Sequence, residues 1–237
     1  MDTYVRDYAS SQNYSFADAY SVLMRKVYVW MTLALVVTGL TSYYVATSPS
    51  MLYTIFSNRA IFFGLIIAEV AVVVWLSARV HKLSFPAAAG LFTLYSVLNG
   101  VTMASIFVVY TMSSIATTFF VTAGTFGTMA FIGTVTKTDL SKMGKIFMMA
   151  LIGVIIAAVV NIFLGNSMLD LVISVLGVVI FTGLTAWDAQ KIKEMLAQHG
   201  QEFNDETQKL AVMGALTLYL DFVNLFLYLL RFLGNRK

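Results

Sequence analysis

Apolar residues fall in long blocks along this chain, at 27–47, 60–78, 86–109, 115–135, 146–164, 169–187 and 210–230, with short polar stretches between them. Each block is near the ~20 residues that an α-helix needs to cross a hydrocarbon core of about 30 Å. Seven membrane-spanning helices are therefore predicted. The connections are brief, as in Thr47-Ser48-Pro49-Ser50 and Gly165-Asn166-Ser167, so consecutive helices are expected to be antiparallel neighbours. Only the stretch over 188–209 is longer.

Composition agrees with the pattern. Of 237 residues, 59% are hydrophobic and 11% charged, against about 25% charged in a typical soluble domain. The fold class expected is an all-α integral membrane protein, organised as a polar tail over 1–26 and a single seven-helix membrane domain over 27–237. The tail carries Asp2, Asp7 and Asp18 among many Tyr and Ser residues. It lacks the basic start and apolar core of a cleaved signal peptide, so it is expected to be retained, and its polarity predicts disorder. The chain contains no cysteine, which removes disulfides, thiolate nucleophiles and thiolate metal sites.

Positive charge sets the expected orientation, because short loops rich in Lys and Arg stay cytoplasmic. Arg6, Arg25, Lys26, Arg79, Lys82, Lys137, Lys142, Lys145, Lys191, Lys193 and Lys209 gather on one side, and Arg59, Arg231, Arg236 and Lys237 on the other. The amino terminus is thus expected in the cytoplasm and, after seven crossings, the carboxyl terminus outside. Trp30, Trp75 and Trp187 then lie near the inner face, where tryptophan is favoured.

Three acids interrupt the apolar blocks and are the candidate functional residues. Asp221 lies inside the last block, in Leu218-Tyr219-Leu220-Asp221-Phe222, and Glu69 inside the second, in Ile67-Ala68-Glu69-Val70-Ala71. An acid at such depth costs roughly 2.5–3.5 kcal/mol on insertion scales unless it finds a partner, a proton or a water-filled cavity. Asp188 follows Trp187 at the end of the sixth block; beside Lys191 it also fits a solvated helix end. Glu69 also fits a protonated side chain held by a hydrogen bond between helices. Asn99, Asn161 and Asn224 read as helix-joining amides, and Gly90, Gly100, Gly124, Gly127, Gly133, Gly153, Gly177 and Gly183 as sites of close helix packing.

Beyond Asp188, Ile192, Met195 and Leu196 share one helical face, which predicts an amphipathic continuation lying at the membrane surface. Gly200 is expected to end it, and Asn204 or Asp205 to cap the last helix.

Four segments, in order and spacing, carry a resemblance: Thr136-Lys137-Thr138-Asp139-Leu140-Ser141-Lys142-Met143-Gly144-Lys145, Asn161-Ile162-Phe163-Leu164, Trp187-Asp188-Ala189-Gln190-Lys191-Ile192, and Leu218 to Arg231. Together they resemble the Bax inhibitor-1 family, also called the transmembrane Bax inhibitor motif family, in its bacterial branch. The resemblance implies two groups of three helices around a central seventh helix. It also implies that Asp188 and Asp221 form a hydrogen-bonded pair which senses pH and controls a calcium leak. The family pair is linked to an arginine at the inner end of the second helix, for which Arg79 is the nearest candidate, one position displaced from the family pattern. A scaffold role is the alternative that the resemblance brings, since some bacterial relatives are associated with a membrane-anchored ATP-dependent protease and eukaryotic ones with suppression of cell death.

The chemistry of the residues is compatible with a switch. Two carboxylates in a low-dielectric site cannot both be ionised cheaply, so they can share a proton. Their oxygens are hard ligands suited to calcium, but Asp188, Asp221 and Glu69 supply too few for a tight cage. Calcium is thus expected as a weakly held, transported ion, with protons and the lipid bilayer as the other partners. No tightly bound cofactor and no nucleic acid are expected. An intramembrane aspartyl protease would need glycines around its aspartates that Tyr219-Leu220-Asp221 lacks. A retinal protein would need a lysine within 210–230, which holds none.

Overall fold

The computed structural model describes the backbone of residues 2–199 and 204–237, and the side chains of 21–198 and 204–237. It is all helix apart from turns and one isolated bridge between Tyr110 and Arg236. The helices are α1 (Asp2–Ala46), α2 (Pro49–Ser57), α3 (Arg59–Arg79), α4 (Phe85–Val109), α5 (Met112–Val135), α6 (Ser141–Leu164), α7 (Ser167–His199) and α8 (Asp205–Leu233). Seven of these, all but α2, contain a stretch long and apolar enough to cross a membrane.

Two elements depart from the sequence reading. The backbone over 2–20, expected to be disordered, continues α1, and no Gly or Pro in that stretch breaks it. The short turn expected at 47–50 opens instead into α2. Pro49 starts that helix, where its missing N–H costs nothing.

The chain divides into two compact units, which share α4, α7 and α8 between them. The first comprises 1–102 and 192–216. Here Thr38 donates to the carbonyl of Ser96 at 2.9 Å, and Gly100 faces the backbone of Thr38 so closely that a Cβ would lie 2.7 Å from its oxygen. Lys26 donates to Gln208 at 3.0 Å, and Trp30 meets Phe85 edge-on at 6.0 Å. Asn204 caps α8 by accepting from Thr207 N at 3.0 Å, while Asp205 accepts from Phe85 N at 3.2 Å. Ile192 and Leu196, expected on the membrane surface, are buried within this unit. The end of α7 is therefore packed against protein. The expected stop at Gly200 lies outside the described residues.

The second unit comprises 103–191 and 217–237. Thr111 caps α5, and Asn166 caps α7 by accepting from Met168 N at 2.9 Å. Gly165 ends α6 with φ of 60°, a left-handed conformation that glycine adopts without strain. Phe222 packs edge-on against Phe119 and Phe126, at 5.6 and 5.4 Å, and Tyr228 stacks on Phe181 at 5.7 Å. Arg231 pairs with Asp170 at 3.2 Å.

Half of the glycine reading holds at these packed faces. Gly100, Gly133, Gly177 and Gly183 abut neighbours, whereas Gly90, Gly124, Gly127 and Gly153 face open space.

Candidate functional site: a buried aspartate pair

α8 is the most buried of the membrane-length helices: 72% of its most apolar 18-residue window is buried, against 6% for the windows of α3 and α6. That burial lets a helix otherwise written in Leu, Phe and Tyr carry an acid away from lipid. Asp221 lies among Leu218, Tyr219, Phe222 and Leu225, all buried, and is itself 5% exposed.

Asp188 reaches it from α7. Its own turn is just as dry, with Leu184, Thr185, Ala189 and Gln190 buried, and Asp188 is 8% exposed. The two carboxyl groups come within interaction range of one another. A carboxylate has no donor, so a hydrogen bond between them requires one proton held by one of the two acids. Asp221 Oδ2 is buried with no hydrogen-bond partner among the described residues. Lys191 is the positive charge that acts on Asp188. Its ammonium sits 5.1 Å from the centre of the Trp187 ring. Asp188 is therefore a buried member of a pair, whereas sequence alone also allowed a solvated helix end.

The turn that carries Asp188 is fixed from outside. Gln190, 4% exposed, accepts from Leu140 N and donates to the carbonyl of Thr138, both at 2.8 Å. Gly144 lies against the Trp187 ring, and Gly133 against the backbone carbonyl of Ala186, where any side chain would collide with main chain. The sequence alone places Gln190 within the Trp187–Ile192 motif and does not reveal its role as a clamp. A polar amide two residues after the acid, where the apolar block ends, is the signal in the sequence. In the loop, Asp139 accepts from Ser141 N at 2.8 Å. That N–H and the Ser141 hydroxyl hold the exposed Asp139 carboxyl below the usual carboxylate range.

The other candidates lie in the first unit. Glu69, on α3, accepts from Asn99 Nδ2 at 3.4 Å and from Thr102, while its Oε1 is buried without a partner among the described residues. Asn99 thus joins two helices as expected. Among the described residues Asn161 and Asn224 bond locally: Asn161 accepts from Asn166 N in the following turn, and Asn224 donates to Leu220 O of its own helix. Both amides satisfy local backbone first. Arg79 is exposed in the last turn of α3.

Comparison with known proteins agrees with the residues. The family described as "Inhibitor of apoptosis-promoting Bax1" matches residues 21–237. The "Inner membrane protein YbhL" of Escherichia coli is 48% identical over 214 residues, covering 90% of this chain and 92% of the relative. A Borreliella burgdorferi protein named only as uncharacterized is 45% identical over 217 residues, covering 90% of this chain and 92% of its own. The uncharacterized protein RP147 of Rickettsia prowazekii is 42% identical over 231 residues, covering 96% of this chain and 95% of its own. With seven membrane-length helices and a family match over nearly its whole length, the chain is an integral membrane protein that belongs to the Bax inhibitor-1 family.

Proposed function

We propose that the protein is a pH-sensitive calcium leak pathway, gated by protonation of Asp188 and Asp221. The observation that carries this reading is the meeting of two buried carboxyls between α7 and α8. A hydrogen bond between them lasts only while the pair keeps a proton. Loss of that proton leaves two like charges in a dry site, which separate unless a cation enters between them. Calcium takes six to eight oxygens at about 2.3–2.6 Å in a tight site. Two aspartates offer far fewer, and brief residence suits conduction, because the ion must also leave. Glu69 is assigned to the ion path because its carboxylate offers hard oxygen ligands within a membrane-length helix, and Arg79 to the gate on the family resemblance. The name of the Escherichia coli relative places that protein in the inner membrane, and the same location is proposed here, with the amino terminus cytoplasmic and the carboxyl terminus outside.

Reconstitution into liposomes loaded with a calcium dye, across a pH series, tests the reading. Wild-type flux should vary with pH. Asp221→Asn should give a pH-independent flux, because an amide keeps the shape and hydrogen bonding of a protonated carboxyl but cannot titrate. Flux equal to that of empty liposomes at every pH would overturn the leak and leave a regulator that binds a membrane partner, such as a membrane-anchored ATP-dependent protease. For orientation, a cysteine placed at Ser167 should react with an impermeant thiol reagent from outside and one at Ser141 should not; reversed labelling would invert the topology.

A further inference from the structure

One face of α5 is buried along its length, through Ser114, Thr118, Thr122, Phe126, Ala130 and Gly133. Its neighbours show where that face points. Ser114 Oγ accepts from Asn235 N at 2.9 Å, the Phe126 ring meets Phe222 of α8, and Gly133 lies against Ala186 of α7. Thr118 and Thr122, between Ser114 and Phe126, therefore line the same seam. At its deeper end stands Phe222, the residue after Asp221. Of the five buried threonines, Thr38, Thr122, Thr185 and Thr207 each donate to a backbone carbonyl. Thr118 is 2% exposed, yet its hydroxyl has no partner among the described residues. A buried hydroxyl left so is costly, and a guest that brings its own polar groups into the seam removes the cost.

The other end of the seam is closed by the residues that follow α8. Besides the Asn235 N–H on Ser114, Thr111 N donates to Asn235 O at 3.2 Å, Lys237 N to Val109 O at 2.9 Å and Lys237 Nζ to Phe107 O at 2.8 Å. Residues 234–237 are thus strapped across the connection between α4 and α5. Gly234 passes so near Tyr110 that a Cβ would lie 2.7 Å from its ring.

We propose that Ser114, Thr118 and Thr122 line a branch of the calcium path, from the level of Asp221 to the α4–α5 end of the membrane, and that residues 234–237 are its lid. Neutral hydroxyl oxygens are hard ligands that a hydrated calcium ion accepts. Successive weak sites suit an ion that must move on; Thr118 and Thr122 are one turn apart, about 6 Å along the helix. The branch rests on the calcium reading, whereas the lid can be measured without it.

In lipid nanodiscs, where both membrane faces meet solvent, Thr118→Cys gives this cysteine-free chain a single thiol. A charged thiol reagent should label it slowly beneath the intact strap. Adding Asn235→Pro, which removes the N–H that Ser114 accepts, or Gly234→Val, whose side chain would collide with Tyr110, should speed labelling roughly fivefold, the change in open fraction expected from losing about one hydrogen bond. Thr185→Cys, fully buried on α7, should stay unlabelled with either strap variant. Unchanged labelling at Thr118→Cys, or an equal rise at Thr185→Cys, would overturn the lid. In liposomes loaded with a calcium dye, Thr118→Val keeps the shape without the hydroxyl and should lower flux roughly tenfold, as expected when a charged group loses one hydroxyl partner. Thr118→Ser should keep the flux, and an unchanged melting temperature checks that both variants fold. Wild-type flux left intact by Thr118→Val would remove the branch and leave the calcium reading standing. Absence of wild-type flux would remove both.

Discussion

Two acids set in membrane-length helices, the half-buried Glu69 in one unit and the buried Asp221 in the other, solve the same problem in different ways. Glu69 is given donors: the Asn99 amide and the Thr102 hydroxyl can serve an ionised carboxylate, and the hydroxyl can also serve a protonated one. Asp221 is given another acid. Two carboxyls can bond only through a proton, so that contact exists in one charge state and not in the next. The first arrangement tolerates a change of charge. The second converts it into a change of contact between α7 and α8, which is why the proposed gate is placed there and not at Glu69.

The sharpest break of this comparison is Asp188→Ala. Asp221 Oδ2 already lacks a partner among the described residues, so the variant leaves its carboxyl in an apolar site without the bond to α7. A buried group left so costs about 1–3 kcal/mol. Thermal unfolding in detergent should show a clear loss for Asp188→Ala and a smaller one for Asp188→Asn, whose amide can still bond. Equal losses would mean that the pair is held by packing alone.

Glu69→Gln should act more weakly. The amide oxygen still accepts from Asn99 and the new NH2 can donate, so the melting temperature should move by less than the equivalent of about 1 kcal/mol. In the liposome assay the flux should fall while its pH midpoint stays at the wild-type value. A displaced midpoint would make Glu69 part of the proton sensor and erase the distinction between the sites.

Much of this was legible in the chain because the informative signals are local. Apolar length identifies each crossing without any knowledge of its neighbours, and one acid in a block of Leu and Phe marks Asp221. What was misread depends on contacts distant in sequence. Asn204 and Asp205 were equal candidates for the cap of α8, and the choice rests on Phe85, 120 positions from Asp205, whose N–H takes the aspartate. Ile192 and Leu196 look amphipathic in any helix plot; whether that face meets lipid or protein is decided elsewhere. Pro49 reads as part of a turn because proline both ends and begins helices. The clamp by Gln190 required Thr138 and Leu140 to arrive from another loop.

The smallest effect belongs to the exposed acid, and it separates the background from the pair. Asp139 is fully exposed, and its charge is favoured by Ser141 N–H, then by the Ser141 hydroxyl and by Lys142 and Lys145. A carboxyl held below its unfolded value, about 3.9 for aspartate, adds stability that is fully present above that value and is lost as pH falls through the folded one. Asp139→Asn removes the charge while an asparagine can still form the same turn with Ser141 N. The melting temperature of this variant should therefore lie slightly below that of the wild type near neutral pH. The two curves should merge as the solution becomes more acidic than the folded carboxyl. The pH dependence of flux should be untouched, since nothing buried has changed. A constant difference in melting temperature at all pH values would show that the charge of Asp139 is not what steadies the loop. A flux response that moved with this variant would place part of the sensor at the surface, outside the Asp188–Asp221 pair.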